Sequence, residues 1–148
     1  MIWENRILLT GLVAWLCSQV MKTIIHLIIH KRFEWERLMG DGGMPSSHSA
    51  TVMAIAVATG LRCGWDSPVF AVSAILALVV MHDARGVRQE TGKQAKVINN
   101  ILQLFESMGQ GKLTPEETLK ELVGHTRRQV FVGAALGAVI ALVMNHLA

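Results

Sequence analysis

Charged residues are scarce in this chain: Asp, Glu, Lys and Arg make up 17% of 148 residues, against 51% hydrophobic. That balance exceeds what one soluble core of this size needs and points to a chain solvated by lipid. Cysteine is nearly absent, and Cys17 and Cys63 lie in or beside apolar runs, so no disulfide framework exists and the redox compartment stays open. No segment alternates apolar and polar residues over the length of a strand, which removes the signal for a β-sheet. Tandem repeats and low-complexity tracts are missing as well, and the even composition fits a single domain over residues 1–148. There is no nucleic-acid motif, and membrane orientation accounts for the net charge of +3.

What is present is a set of apolar runs with polar mouths. Residues 7–29 are long enough to span a bilayer and are interrupted by Ser18, Gln19, Lys22 and His26. No small-residue cleavage pattern precedes Lys22, so the run reads as a retained span. A second helix is expected over 45–61, with Pro45 in its first turn, a third over 68–82, and a fourth over 129–147. The middle two are short for a hydrocarbon core of ~30 Å, so they tilt little, sit inside an oligomer or thin the bilayer. Gly133 and Gly137 form a small-xxx-small face that either packs within the chain or joins two copies.

Between the last two spans lies a polar insertion, 83–128. Val87, Ile98, Ile101, Leu102, Phe105 and Met108 recur at helical spacing there and predict an amphipathic helix packed on core or membrane surface. Gly109-Gln110-Gly111 ends it, and Thr114-Pro115-Glu116-Glu117 starts a short helix to about Val123, with Thr114 as cap. The expected fold is therefore all-α, an integral membrane bundle of about four transmembrane helices with a cytoplasmic amphipathic insertion.

Basic residues set the orientation. Of 14 Lys and Arg, Arg6 and Arg62 fall on the N-terminal side and Lys22 within a span. All the others lie in two loops, from Lys31 to Arg37 and from Arg85 to Arg128. The positive-inside rule puts both loops in the cytoplasm, in a multi-pass protein of the cell membrane.

Two helix mouths on that side carry histidines: Gly43-Met44-Pro45-Ser46-Ser47-His48 and Gly124-His125-Thr126. Imidazole can attack phosphorus or protonate a leaving oxygen near neutral pH, and Ser hydroxyls with free N–H groups at a helix start can hold phosphate oxygens. The alternative is that both histidines only cap helices. His26, His30, His82 and His146 read as interfacial or packing residues. Lys22 is the costliest residue, since an ammonium within a span costs on the order of 2.5–3.5 kcal/mol. Either it snorkels to the near interface, or it meets a phosphate.

These residues resemble a family. Lys22, Pro45-Ser46-Ser47-His48, Asp83-Ala84-Arg85-Gly86-Val87-Arg88 and Gly124-His125-Thr126 look like the divergent type-2 phosphatidic acid phosphatases, relatives of acid phosphatases and vanadium-dependent haloperoxidases. The resemblance runs from about Gln19 to Gly137. It implies a phosphatase in which His125 attacks phosphorus to form a phosphohistidine, and His48 protonates the leaving oxygen and then activates water. Lys22, Ser46, Arg88 and N–H groups near Ser47 would hold the equatorial oxygens, with Arg85 as second candidate to Arg88. The first-motif Arg-Pro pair has no clear counterpart, and Arg32 and Arg37 are the candidates for its guanidinium. One departure stands out: the superfamily's carboxylate four residues after the nucleophile is Gln129, which can accept a bond from imidazole but offers no charge. Asp83, Glu90 or Glu121 then stand as replacement acids.

The scheme requires no metal and no cofactor, and Asp41, Asp83 and Glu90 match no metal-loop spacing. The implied substrate is a phosphomonoester lipid of the cytoplasmic leaflet, such as phosphatidic acid or phosphatidylglycerol phosphate. Related folds use more membrane helices than four, so a homo-oligomer is expected. A non-enzymatic protein binding anionic lipid in the same cavity, and a scaffold whose polar residues only pack helices, are the competing readings.

Overall fold

The computed structural model describes residues 4–31, 43–108, 119 and 126–147. They form five helices: α1 (Arg6–His30), α2 (Ser47–Cys63), α3 (Pro68–Arg85), α4 (Val87–Ser107) and α5 (Arg127–His146). No strand occurs among the described residues. The expected helix from Thr114 to Val123 lies outside them.

Short polar side chains fix where the helices start. Asn5, Ser46, Ser67 and Thr126 each accept a bond from an N–H of the first turn, satisfying a donor that has no partner inside the helix. Pro68 then occupies the first turn of α3, where a missing N–H does no harm. Pro45, expected in the corresponding place of α2, sits before the cap instead. The Ser46 hydroxyl accepts from Ser49 N at 3.3 Å and so sets the cap one residue, and the helix start two residues, beyond Pro45.

Helix contacts define the layout. α2 packs against α1, α3 and α5, while α5 also touches α1 and α3, and α1 and α3 do not meet. The bundle is thus a central α2–α5 pair flanked on two sides. α1 runs antiparallel to α2, since Gly11 faces Ile55 at one end and Lys22 faces Ser47 at the other. α5 runs parallel to α2, with Gly133 against Ser46 and Ser49 and Gly137 against Ala50. A turn over 64–67 brings α3 back antiparallel. One end of the bundle therefore gathers the end of α1, the start of α2, the end of α3 and the start of α5.

The interior is made of small residues. Ala14, Ser18, Ala50, Ala54, Ala58, Thr59, Ala77, Gly133, Gly137 and Ala141 are buried, while Ile28, Val72, Ile75, Leu78, Phe131 and Val139 point outward. Phe131 is 74% exposed. Large apolar groups outside and small ones inside are what lipid solvation demands, because helices in lipid associate by close approach rather than by burying apolar bulk. Three helical runs, Arg6–Ile29, Pro68–Phe105 and Arg127–His146, are long and apolar enough to cross a membrane. α2 has 17 residues, ~26 Å at ~1.5 Å per residue, and is the helix most enclosed by the others.

Two details are added to the expected pattern. α3 continues to Arg85, three residues past the expected end of its span at 82, and leads directly into α4. Gly86 N donates to His82 O at 2.8 Å and Glu90 N to Gly86 O at 3.1 Å, so helical bonding passes through the junction. Of the two settings expected for the amphipathic stripe, core or membrane surface, the core is ruled out for Ile98, Ile101, Phe105 and Met108, which are exposed, with Leu102 half-buried. The side of α4 that is buried carries Gly92, Ala95 and Asn99.

Candidate functional site

Lys22 lies on the face of α1 turned to α2, and its burial shows which way its side chain goes. The residue is 6% exposed, and its Nζ donates to Ser47 Oγ at 3.2 Å, across 25 residues of sequence. It turns inward between helices instead of snorkelling through lipid. The chain entering α2 lies over its stem: a Cβ added at Gly43 would sit 3.8 Å from both Cγ and Cδ of Lys22. Gly43 has φ +85°, a conformation that glycine adopts freely.

Ser47 and His48 occupy the first turn of α2, where backbone N–H groups lack acceptors within the helix and carry the positive end of its dipole. Ser47 is buried, and His48 is half-buried with its Nδ1 inside. Ser46 is fully buried, and its hydroxyl accepts from both Ser49 N and Ser49 Oγ, the latter at 3.0 Å. Both bonds use lone pairs of the oxygen, so the hydroxyl caps α2 and keeps its O–H as a donor.

The start of α5 is tied to this mouth through the backbone. Ser46 N donates to Gln129 O at 3.1 Å, and Gly133 lets α5 approach so closely that an added Cβ would strike the Ser46 carbonyl. Gln129 also closes a capping box: its Oε1 accepts from Thr126 N at 2.9 Å, and its own N–H donates to Thr126 Oγ1 at 3.4 Å. The amide oxygen offered as a partner for imidazole is therefore engaged by the cap. His125 lies outside the described residues, one position before the Thr126 cap.

Asp83 and Arg85 stand in the last turn of α3, at the same end of the bundle as Lys22 and Ser47. Asp83 is exposed and Arg85 half-buried, and neither makes a hydrogen bond or ion pair with another described residue. Arg88 is in the first turn of α4, its side chain outside the description. Arg32, Arg37, Asp41 and Glu121 also lie outside the described residues. Glu90 pairs with Lys93 at 2.6 Å on the exposed side of α4.

The glycine face is used within the chain. Gly133 and Gly137 both pack on α2, and a Cβ at Gly137 would strike the Ala50 carbonyl. Two residues join the site that the motifs did not assign. Ser49 holds Ser46 in its capping rotamer, a role readable from its place three residues after the cap. Gln19, one turn from Lys22 on α1, is 5% exposed, and its Oε1 is buried with no hydrogen-bond partner among the described residues.

A cation buried against a serine at a helix start, beside a histidine, is a arrangement able to receive an anion. The profile of the Divergent PAP2 family matches residues 3–140. The chain belongs to that family. It is also similar to the uncharacterized membrane protein YuiD of Bacillus subtilis (strain 168), with 41% identity over 150 residues covering 96% of this chain and 95% of that one. No solved structure matches it. Membership of the Divergent PAP2 family agrees with the helical bundle and with a multi-pass membrane protein.

Proposed function

We propose that the protein is a membrane lipid-phosphate phosphatase whose site is the mouth between α1, α2, α3 and α5. The observation that carries the reading is the Lys22 ammonium, buried in a span and held on Ser47 at the start of α2. An ammonium within a span is a functional-site residue by default, and the start of α2, whose first-turn N–H groups suit an anion, lies beside it. Lys22, the Ser47 hydroxyl and those N–H groups hold the phosphoryl oxygens, with Arg88 or Arg85 completing the set.

His125 attacks phosphorus, forming a P–N bond as the bond to the lipid oxygen breaks, and His48 gives its proton to that oxygen. Water then attacks the phosphohistidine, His48 takes the proton from water, and inorganic phosphate leaves with His125 restored. The substrate is a phosphomonoester lipid: its acyl chains stay in the bilayer while the headgroup enters at the bundle end. The basic loops put that end in the cytoplasm.

Gln129 favours a second reading. With no carboxylate at that position and its amide oxygen on the α5 cap, the mouth would bind an anionic headgroup without turning it over. Purified protein in nanodiscs containing phosphatidic acid separates the two. Under the phosphatase reading the wild type releases inorganic phosphate, and His125→Asn and His48→Asn each lower kcat by about 10²-fold or more. Retained lipid binding without phosphate release by the wild type would select the binding protein.

A further inference from the structure

The mouth holds one residue that the phosphatase scheme leaves idle. Gln19 is 5% exposed, and its Oε1 is buried with no hydrogen-bond partner among the described residues. The hydroxyls beside it on α1 are not in that state. Ser18 donates to Trp15 O at 2.6 Å and Thr23 donates to Gln19 O at 3.0 Å, each satisfied within the helix. A buried carbonyl oxygen without a donor costs free energy, so its retention calls for a reason.

The position of Gln19 supplies one. Gly11 lies level with Thr51 and Ile55 of α2, and the stem of Lys22 lies level with Gly43. From Gly11 to Gln19 is ~12 Å along α1, and on the antiparallel neighbour the same rise leads from Ile55 to Ser47. Gln19 and the first turn of α2 therefore stand at one height. The Lys22 ammonium comes to that height as well, since helical side chains lean toward the N-terminus and its Nζ reaches Ser47 Oγ. Residues three apart share a helix face, so Gln19 stands beside the ammonium and forms the floor of the mouth.

The chemistry of the atom narrows what it can take. Lys22, the Ser47 hydroxyl and the first-turn N–H groups can all donate, and donors alone hold any tetrahedral oxyanion. A carbonyl oxygen only accepts. Set among those donors, it repels a bare anionic oxygen and bonds one that carries a proton. A phosphomonoester has such an oxygen, because its second ionisation falls near pH ~6. Sulfate has the same shape and no proton near neutral pH.

We propose that Gln19 is a specificity residue of the mouth: its Oε1 accepts the P–O–H of a monoprotonated phosphoryl group, so the site takes phosphate and turns away fully ionised oxyanions. The inference rests on the anion-binding part of the function proposed above and not on turnover.

Titration calorimetry of the purified full chain in detergent at about pH 6 tests it, with short-chain phosphatidic acid, inorganic phosphate and sulfate as probes. The wild type is expected to bind phosphate about tenfold or more tighter than sulfate, the scale set by one buried acceptor left unpaired. Either source of the phosphoryl group supports the inference: tighter binding of phosphatidic acid than of phosphate makes it a lipid headgroup, and the reverse makes it the free ion. Gln19→Leu is expected to bring phosphate and sulfate to within about twofold of each other by weakening phosphate alone. Gln19→Glu, whose carboxylate only accepts, keeps the preference. Equal affinity of the wild type for the two anions overturns the proposal, whether or not the variants fold. So does an equal loss of both anions in Gln19→Leu, because the residue would then present its amide NH2 or only pack the helices. Preference for phosphate without phosphate release from lipid would sink the phosphatase reading and uphold the role of Gln19.

Discussion

At the residue scale the decisive contact joins Lys22 and Ser47. A lysine in a span was legible as a costly residue, but the serine that receives it lies 25 residues away, and only folding shows that it is Ser47 rather than Ser46. Ser46 was legible as a site serine because it stands in the motif; folding adds that its hydroxyl also accepts the N–H of Ser49 and caps α2. Lys22→Met tests whether the ammonium is there for a ligand. Methionine keeps the length of the stem and removes the charge and its bond to Ser47, so the variant is expected to insert, with its thermal midpoint measured beside its activity. Its phosphate release is expected to fall by about 10²-fold or more, the usual effect of losing one charge-stabilising donor. A variant that fails to fold would make the Lys22–Ser47 bond structural. Gln129→Glu gives a second check. Glutamate also closes a capping box, so the thermal midpoint should hold, and with the new carboxylate drawn to Thr126 N, kcat should rise by less than about tenfold.

At the element scale, periodicity and caps located four apolar helices and the amphipathic one to within a few residues. The joint between α3 and α4 was hidden because Gly86, next to a run of charge, reads as a breaker, while in the structure its φ of −81° is helical and the bonds pass through it. The glycines of α5 were legible as a contact face without their partner. That partner is the backbone of α2, so even one methyl group is too large at the contact. Gly137→Ala is expected to lower stability by about 1–3 kcal/mol, the ordinary cost of overpacking, through its collision with the Ala50 carbonyl. Phe131→Ala, on the lipid side of the same helix, should change it far less. Thermal unfolding of both variants in one detergent makes the comparison.

At the scale of the whole molecule the sequence speaks to side and says least about assembly. Loop charge predicts a cytoplasmic mouth, and the fold supplies a native reporter of that expectation, because Cys63 is exposed at the end of α2 away from the mouth. A membrane-impermeant thiol reagent applied to intact cells should label Cys63, and should not label Gln103→Cys in a chain with Cys63 replaced. The reverse pattern would put the mouth outside. Which helices touch was not legible, since α2 and α5 pair across most of the chain and both are short-period apolar runs that fit many neighbours equally well. That pairing has a consequence for the order of synthesis. The Ser46 N–H finds its acceptor on Gln129, and the wall beside it on Gly133, so neither exists while the ribosome is still making the first 125 residues. Until the last helix enters the bilayer, the nascent chain carries four helices with an unfinished polar mouth and a half-walled lysine, and the mouth is closed in one late event.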